Sequence, residues 1–123
     1  MTADSARPAS EDSGRPERRS VPRYPFVTTV IVTELSSGTR LPGRTSELGL
    51  NGFYIDTLEP FPVGTLVQIR IFKDQEVFES PGRVLYSHLG IGMGILFVDS
   101  TPDQQSVLKG WVAELAARCG PDS

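Results

Sequence analysis

Between Tyr24 and Asp99 the chain is a series of short apolar runs separated by glycine and proline, and two of them, at 65–72 and 91–99, alternate with a period of two. FVTTVIVTE at 26–34 is β-branched and aromatic, which suits a pleated, half-buried surface and predicts the first strand. LSSG at 35–38 reads as a turn. TRLPGRTSELG at 39–49 is more polar, and Pro42 and Gly43 predict an edge strand interrupted there. GFYIDT at 52–57 is short and strand-like, and PFPVG at 60–64 punctuates the chain before the next run. In TLVQIRIF at 65–72, Val67, Ile69 and Ile71 alternate with Gln68 and Arg70, the pattern of a strand with one buried face. EVFESPGRVLYSH at 76–88 carries a second Pro-Gly break. IGMGILFVD at 91–99 places Ile91, Met93, Ile95 and Phe97 on one face. Gly92 and Gly94 fall on the other, where a missing side chain permits bending or close approach.

The period changes after Ser100. Thr101 suits a helix cap, Pro102 the first helical position, and Gln104 the far side of a capping box. Val107, Leu108, Trp111, Val112 and Leu115 then recur on one helical stripe, and Gly120 and Pro121 end it. Six strands followed by one amphipathic helix predict an all-β fold with a C-terminal helix. Antiparallel strands in that number close into a small barrel, which removes exposed edges, and the Trp111 stripe would pack across one opening or side.

Residues 1–22 differ from all of this. They are rich in Ser, Pro, Gly, Glu and Arg and hold almost no large apolar side chain, so they are expected to form a flexible arm. The expected division is an arm at 1–22, a barrel with its helix at 23–118, and a tail at 119–123. The arm lacks the apolar centre of a secretory signal, and no apolar run is long enough to span a bilayer. A cytoplasmic protein without membrane insertion is the expectation.

Composition narrows the function classes. The chain has 123 residues, 38% of them hydrophobic, and a formal net charge of -3, enough for one domain with a modest core. The single cysteine, Cys119, cannot form an internal disulfide or a thiolate cage, and with His88 as the one histidine no metal site is expected. His88 itself is expected at a loop or strand end, exposed or partly buried. Asp99, Asp103 and Glu114 fall on a turn and a helix face, where they suit caps and solvated charges better than acid–base work. GIGMG lacks both the strand–loop–helix setting and the lysine of a phosphate loop. No nucleophile–base pair is evident, so an enzyme and a cofactor are not expected. Nucleic-acid binding is disfavoured by the negative charge and by the lack of a basic, aromatic strand face.

Arginine is the conspicuous exception. Of 12 basic residues only Lys73 and Lys109 are lysines. A guanidinium forks onto phosphate and stacks on flat rings, so arginine enrichment suits a compact phosphorylated ligand, although a GC-rich genome would also produce it. Position is more telling. RSVPR at 19–23 sets Arg19 and Arg23 in an R-x-x-x-R spacing just before the first apolar run. ELGLNG at 47–52 precedes FYI.

Those two segments in order, followed by LEPFPVGTLVQIRI, the Pro-Gly-broken strand, GMGILFV and the terminal helix, resemble the PilZ domain over roughly residues 18–117. The resemblance implies a six-stranded antiparallel barrel with a C-terminal helix that binds cyclic di-GMP. It also implies output through an unknown protein effector. The family signature is R-x-x-x-R in the arm and (D/N)-x-S-x-x-G on the barrel. Arg19, Arg23 and Gly52 match it. Glu47 stands for Asp or Asn and keeps a carboxylate one methylene longer, and Gly49 stands for Ser and lacks the hydroxyl. Arg18, with Arg15 further out, could add a phosphate or guanine contact. The implied ligand set is therefore Arg18, Arg19, Arg23, Glu47, Gly49 and Gly52. Ligand binding would order the arm and change the surface it meets. The alternative is a degenerate PilZ module in which ELGLNG is only a turn and the domain acts as a protein adaptor without the nucleotide.

Overall fold

The structure, a computed structural model, describes residues 21–119. The tail beyond Cys119 and the arm up to Ser20, with Arg18 and Arg19 in it, lie outside the described residues. Among the described residues, seven strands precede one helix: β1 (Arg23–Pro25), β2 (Thr29–Glu34), β3 (Arg40–Gly49), β4 (Gly52–Asp56), β5 (Leu66–Lys73), β6 (Glu76–His88), β7 (Gly92–Phe97) and α1 (Pro102–Cys119). All neighbouring pairs are antiparallel. Six strands form a closed ring in the order β2-β3-β4-β7-β6-β5, with β5 returning to β2. The short β1 pairs outside the ring with the end of β3. The expected six-stranded barrel with a C-terminal helix is thus present. The seventh strand is the segment expected only to lead into the first one.

Alternation builds the core. Val30 and Val32 from β2, Val67, Ile69 and Ile71 from β5, Phe78 and Val84 from β6, Met93 and Ile95 from β7, and Phe53 and Ile55 from β4 all face inward with 0–1% exposure. Ile91 departs from its expected face. It lies in the turn before β7 and is 64% exposed, while Met93, Ile95 and the partly buried Phe97 keep the inward face.

The two Pro-Gly pairs do not interrupt strands, as expected of Pro42-Gly43; they mark where a long strand changes partners. β3 pairs with β2 over Arg40–Arg44 and with β4 over Arg44–Leu48. β6 pairs with β5 as far as Arg83 and with β7 from Gly82 onward. Over Arg40–Gly43, β3 is paired on one side only, which accommodates a residue without an N–H. At the second switch, a Cβ on Gly82 would sit 2.5 Å from Ile69 Cδ1 and 2.9 Å from the Leu96 carbonyl oxygen. Glycine lets the sheet turn a corner where a side chain would hold it open.

The helix begins as expected at Thr101, whose Oγ1 accepts from the Gln104 amide at 3.3 Å. The capping box is not completed. Gln104 Oε1 instead accepts from the Glu79 amide at 2.8 Å, tying the first turn to β6. Leu108, Trp111, Val112 and Leu115 are buried and join the barrel core. Trp111 Nε1 donates to Glu76 Oε1 at 2.6 Å, and its ring centroid is 6.3 Å from those of both Phe26 and Phe78. The helix therefore lies against β1 and β6.

Candidate functional site

Register decides which side chains meet. β1 runs along the last residues of β3, with Arg23 opposite Gly49, Tyr24 opposite Leu48 and Pro25 opposite Glu47. The second arginine of the R-x-x-x-R spacing is thereby placed beside two positions of ELGLNG. The guanidinium is only lightly held. Arg23 Nη1 donates to Tyr86 Oη at 3.3 Å and is 3.9 Å from Glu47 Oε1. Glu47 is half exposed, and an ion pair of that length in water contributes about 0–1 kcal/mol. Arg23 is available to a stronger acceptor.

Gly49 is buried because β1 lies on it. A Cβ there would be 2.8 Å from the Pro22 carbonyl oxygen and 3.1 Å from Arg23 Cγ. The residue standing where the PilZ signature has serine thus lets the end of the arm close onto β3. Gly52 opens β4 after the two-residue turn Leu50–Asn51, and its own neighbour is β7. A Cβ at Gly52 would fall 2.2 Å from the Ile95 carbonyl oxygen. Its lack of a side chain is required by backbone packing at the foot of the site.

Two β-bulges turn polar and aromatic residues outward. In β3 the register shifts between Thr45 and Glu47, so Thr45 stays inside opposite Ile55 while Glu47 faces out opposite Tyr54. In β6 it shifts between Val84 and Tyr86, so Val84 stays inside opposite Ile95 while Tyr86 faces out opposite Gly94. An inserted residue flips the alternation beyond it, a common way to re-aim a side chain near a site. Without the bulges Glu47 would follow Thr45 inward, and Tyr86 would follow Val84. Tyr54 also pairs with Gly94, so Glu47, Tyr54, Gly94 and Tyr86 form one row across β3, β4, β7 and β6.

The tyrosines of that row, together with His88, were not among the expected site residues. The Tyr54 and Tyr86 rings are stacked with centroids 6.2 Å apart and planes 29° apart. Tyr54 Oη and His88 Nδ1 are hydrogen-bonded at 3.1 Å. Burial, then the nearby Asp56, Tyr86 and Glu47, push the Tyr54 phenol pKa above its ordinary value, which keeps the hydroxyl protonated. Below the rings lie the two glycines of GMG. A Cβ on Gly94 would be 2.4 Å from the Tyr86 ring, and one on Gly92 would be 2.7 Å from the Tyr54 ring. Gly92 and Gly94 fall opposite the core-facing residues as expected, and the close approach there is by two aromatic rings.

A separate groove opens on the helix side of the Leu50–Asn51 turn, lined also by Phe97, Asp99 and Lys109. It shares the turn with the motif but includes neither Arg23 nor the tyrosines. Among the described residues no group of His, Cys, Asp and Glu is placed to hold a metal ion, and no helix is long and apolar enough to cross a membrane.

A family model of the PilZ domain matches residues 17–114. No curated protein matches the chain. Among solved structures, the PilZ domain of CeSA from a cellulose-synthesizing bacterium is 23% identical, with a TM-score of 0.58 over 73% of this chain and 97% of that one. The PilZ domain of YcgR from Escherichia coli, solved with c-di-GMP, is 18% identical with a TM-score of 0.69, covering 84% of this chain and 95% of its own. The Bacillus subtilis inhibitor of motility MotI/DgrA is 15% identical with a TM-score of 0.64, over 79% of this chain and 50% of that one.

Proposed function

Because the chain belongs to the PilZ domain family, we propose that it is a receptor for cyclic di-GMP, bound where β1 lies along β3. One observation carries this reading: Arg23, at the barrel end of an arginine-rich arm, faces outward beside Glu47 and Gly49 with its guanidinium weakly engaged. Cyclic di-GMP presents two phosphates and two guanines. Arginine can fork onto a phosphate or onto guanine O6 and N7, and a carboxylate accepts the N–H groups of the guanine edge. Arg23 and Glu47 supply those two functions side by side. Arg19, one R-x-x-x-R spacing earlier, and Arg18 would close on the ligand from the arm, while Gly49 and Gly52 let β1 and β7 pack closely beneath the site. The YcgR domain that shares this fold was solved with the same nucleotide. In this reading the domain is a binding module, and ordering of the arm against β3 creates the surface that a protein effector reads.

Calorimetric titration of the full chain tests the proposal. Binding should be seen with cyclic di-GMP at tens of micromolar or below, and Arg23→Ala should abolish it while the barrel stays folded. Absence of heat from the wild-type protein would sink the receptor reading in favour of an adaptor that no longer takes the nucleotide. Two observations give that second reading its weight: Glu47 replaces the shorter acid, and the space for a side chain at 49 is taken by Pro22. Under it, Glu47→Asp with Gly49→Ser should create or greatly strengthen binding. Because serine at 49 must displace Pro22, Glu47→Asp alone is the cleaner arm of that experiment.

A further inference from the structure

We infer that the outward faces of Tyr54 and Tyr86 form a stacking shelf for a purine base, which extends the site from the Arg23–Gly49 corner across β4, β7 and β6. The inference deepens the receptor reading, but it stands on its own geometry. Both rings lie close against the sheet. Each covers a glycine so closely that a single methyl group on Gly92 or Gly94 would collide with it. With their inner faces against backbone, their outer faces are the ones a ligand can meet. Tyr86 is 37% exposed, although aromatic rings of its size are mostly covered in a folded domain. The ring planes are within 29° of each other with centroids 6.2 Å apart, and Tyr54 is fixed by His88 at its hydroxyl, so the surface is preorganised.

The rim of the shelf defines the base. Arg23 reaches Tyr86 Oη from one side, and Glu47 lies directly opposite Tyr54 in the register. A purine over the rings would have a guanidinium at one edge and a carboxylate at another. Guanine suits both, with acceptors for the arginine and N–H donors for the carboxylate. Adenine would turn an unprotonated ring nitrogen toward Glu47. A purely structural role, rings covering bare backbone, would explain the glycine contacts but not the charged pair at the rim.

The chain has three tyrosines, Tyr24, Tyr54 and Tyr86, so ring-labelled tyrosine gives a spectrum that single Tyr→Phe variants assign. Tyr24 packs against the core and serves as the internal control. On addition of cyclic di-GMP or 5′-GMP, the Tyr54 and Tyr86 ring signals should move upfield and Tyr24 should move less. In titrations with cyclic di-GMP, Tyr86→Leu and Tyr54→Leu should each weaken binding about tenfold, the scale of one lost base–aromatic stack. Tyr86→Phe, which keeps the ring, should weaken it less. Calorimetric binding without movement of the two rings, and with leucine variants of wild-type affinity, would overturn the shelf and leave the receptor standing. Rings that move with 5′-GMP in a protein giving no heat with cyclic di-GMP would keep the shelf and remove the receptor reading. Rings unmoved by either probe overturn the shelf whatever the variants do.

Discussion

Glycine acts in opposite ways at different points of this molecule. At Gly52 a Cβ would meet the Ile95 carbonyl oxygen at 2.2 Å, and the obstacle is backbone paired in the barrel wall. Gly52→Ala must push β4 from β7 and should destabilise the fold by about 1–3 kcal/mol, the usual cost of overpacking. Gly110, mid-helix, has nothing within 4 Å of its Cβ position. Gly110→Ala should stabilise by about 0.8–1 kcal/mol, because alanine is the better helix former. Denaturant midpoints of the two variants should move in opposite directions; a Gly52→Ala protein as stable as the wild type would mean that β4 and β7 can separate freely. The motif match identified Gly52 in the sequence as a candidate for the site. Its backbone role was not legible, because the colliding atom belongs to a strand more than 40 residues away. Tyr54 and Tyr86 were hidden for a related reason. Period-two reading of LYSH cannot register an extra residue at Leu85, and that residue is what turns Tyr86 outward.

The helix was legible as an element, from its cap to its buried stripe, since both signals are local. How it is fastened to the barrel was not. Lys73, at the end of β5, places Nζ 2.7 Å from Glu114 Oε1 on α1. The hydrogen bond to Lys73, then its charge, lowers the Glu114 pKa from its ordinary 4.5, and the same bond raises that of Lys73 above 10.5. Glu114 therefore favours the folded state above the ordinary carboxylate range, and that contribution is lost as pH falls through the lowered value. Lys73 contributes below the ordinary lysine value and loses its contribution as pH rises through the raised one. Glu114→Gln should melt below the wild type at neutral pH, with the gap closing as pH drops below about 4. Thermal melts of both proteins across pH 2–7 check this. A gap that persists at pH 2 would place the loss in packing rather than in charge. The Pro-Gly pairs follow the same division: the sequence showed that something breaks there, and only the ring of partners shows that the break is a corner within a continuous strand.

At the scale of the whole molecule, a buried hydroxyl helps fasten β1 and its turn to the barrel. Between β1 and β2 the chain turns at Phe26–Thr28, and Thr45, fully buried, spans the turn from β3. Its Oγ1 accepts from the Thr28 amide at 3.0 Å and donates to the Phe26 carbonyl oxygen at 2.5 Å. Main-chain bonds from Phe26 to Ser46 and from Thr45 to Thr28 complete the clamp. Ser46 is the residue inserted by the β3 bulge, so the irregularity that faces Glu47 outward also fastens the strand that carries Arg23. Thr45→Val keeps the shape and removes both side-chain bonds, leaving a part-buried amide and carbonyl without that partner. The loss should be about 1–3 kcal/mol in global stability. It should also raise the ligand's dissociation constant, because Arg23 and Glu47 are no longer held in register and binding must restore the order. Amide exchange at Tyr24 and Phe26 should quicken before exchange in β5 does, marking release of β1 from an intact ring. If Thr45→Val binds cyclic di-GMP as tightly as the wild type while its β1 amides exchange faster, the position of β1 in the free protein does not govern recognition. Ordering by the ligand then does the whole of that work.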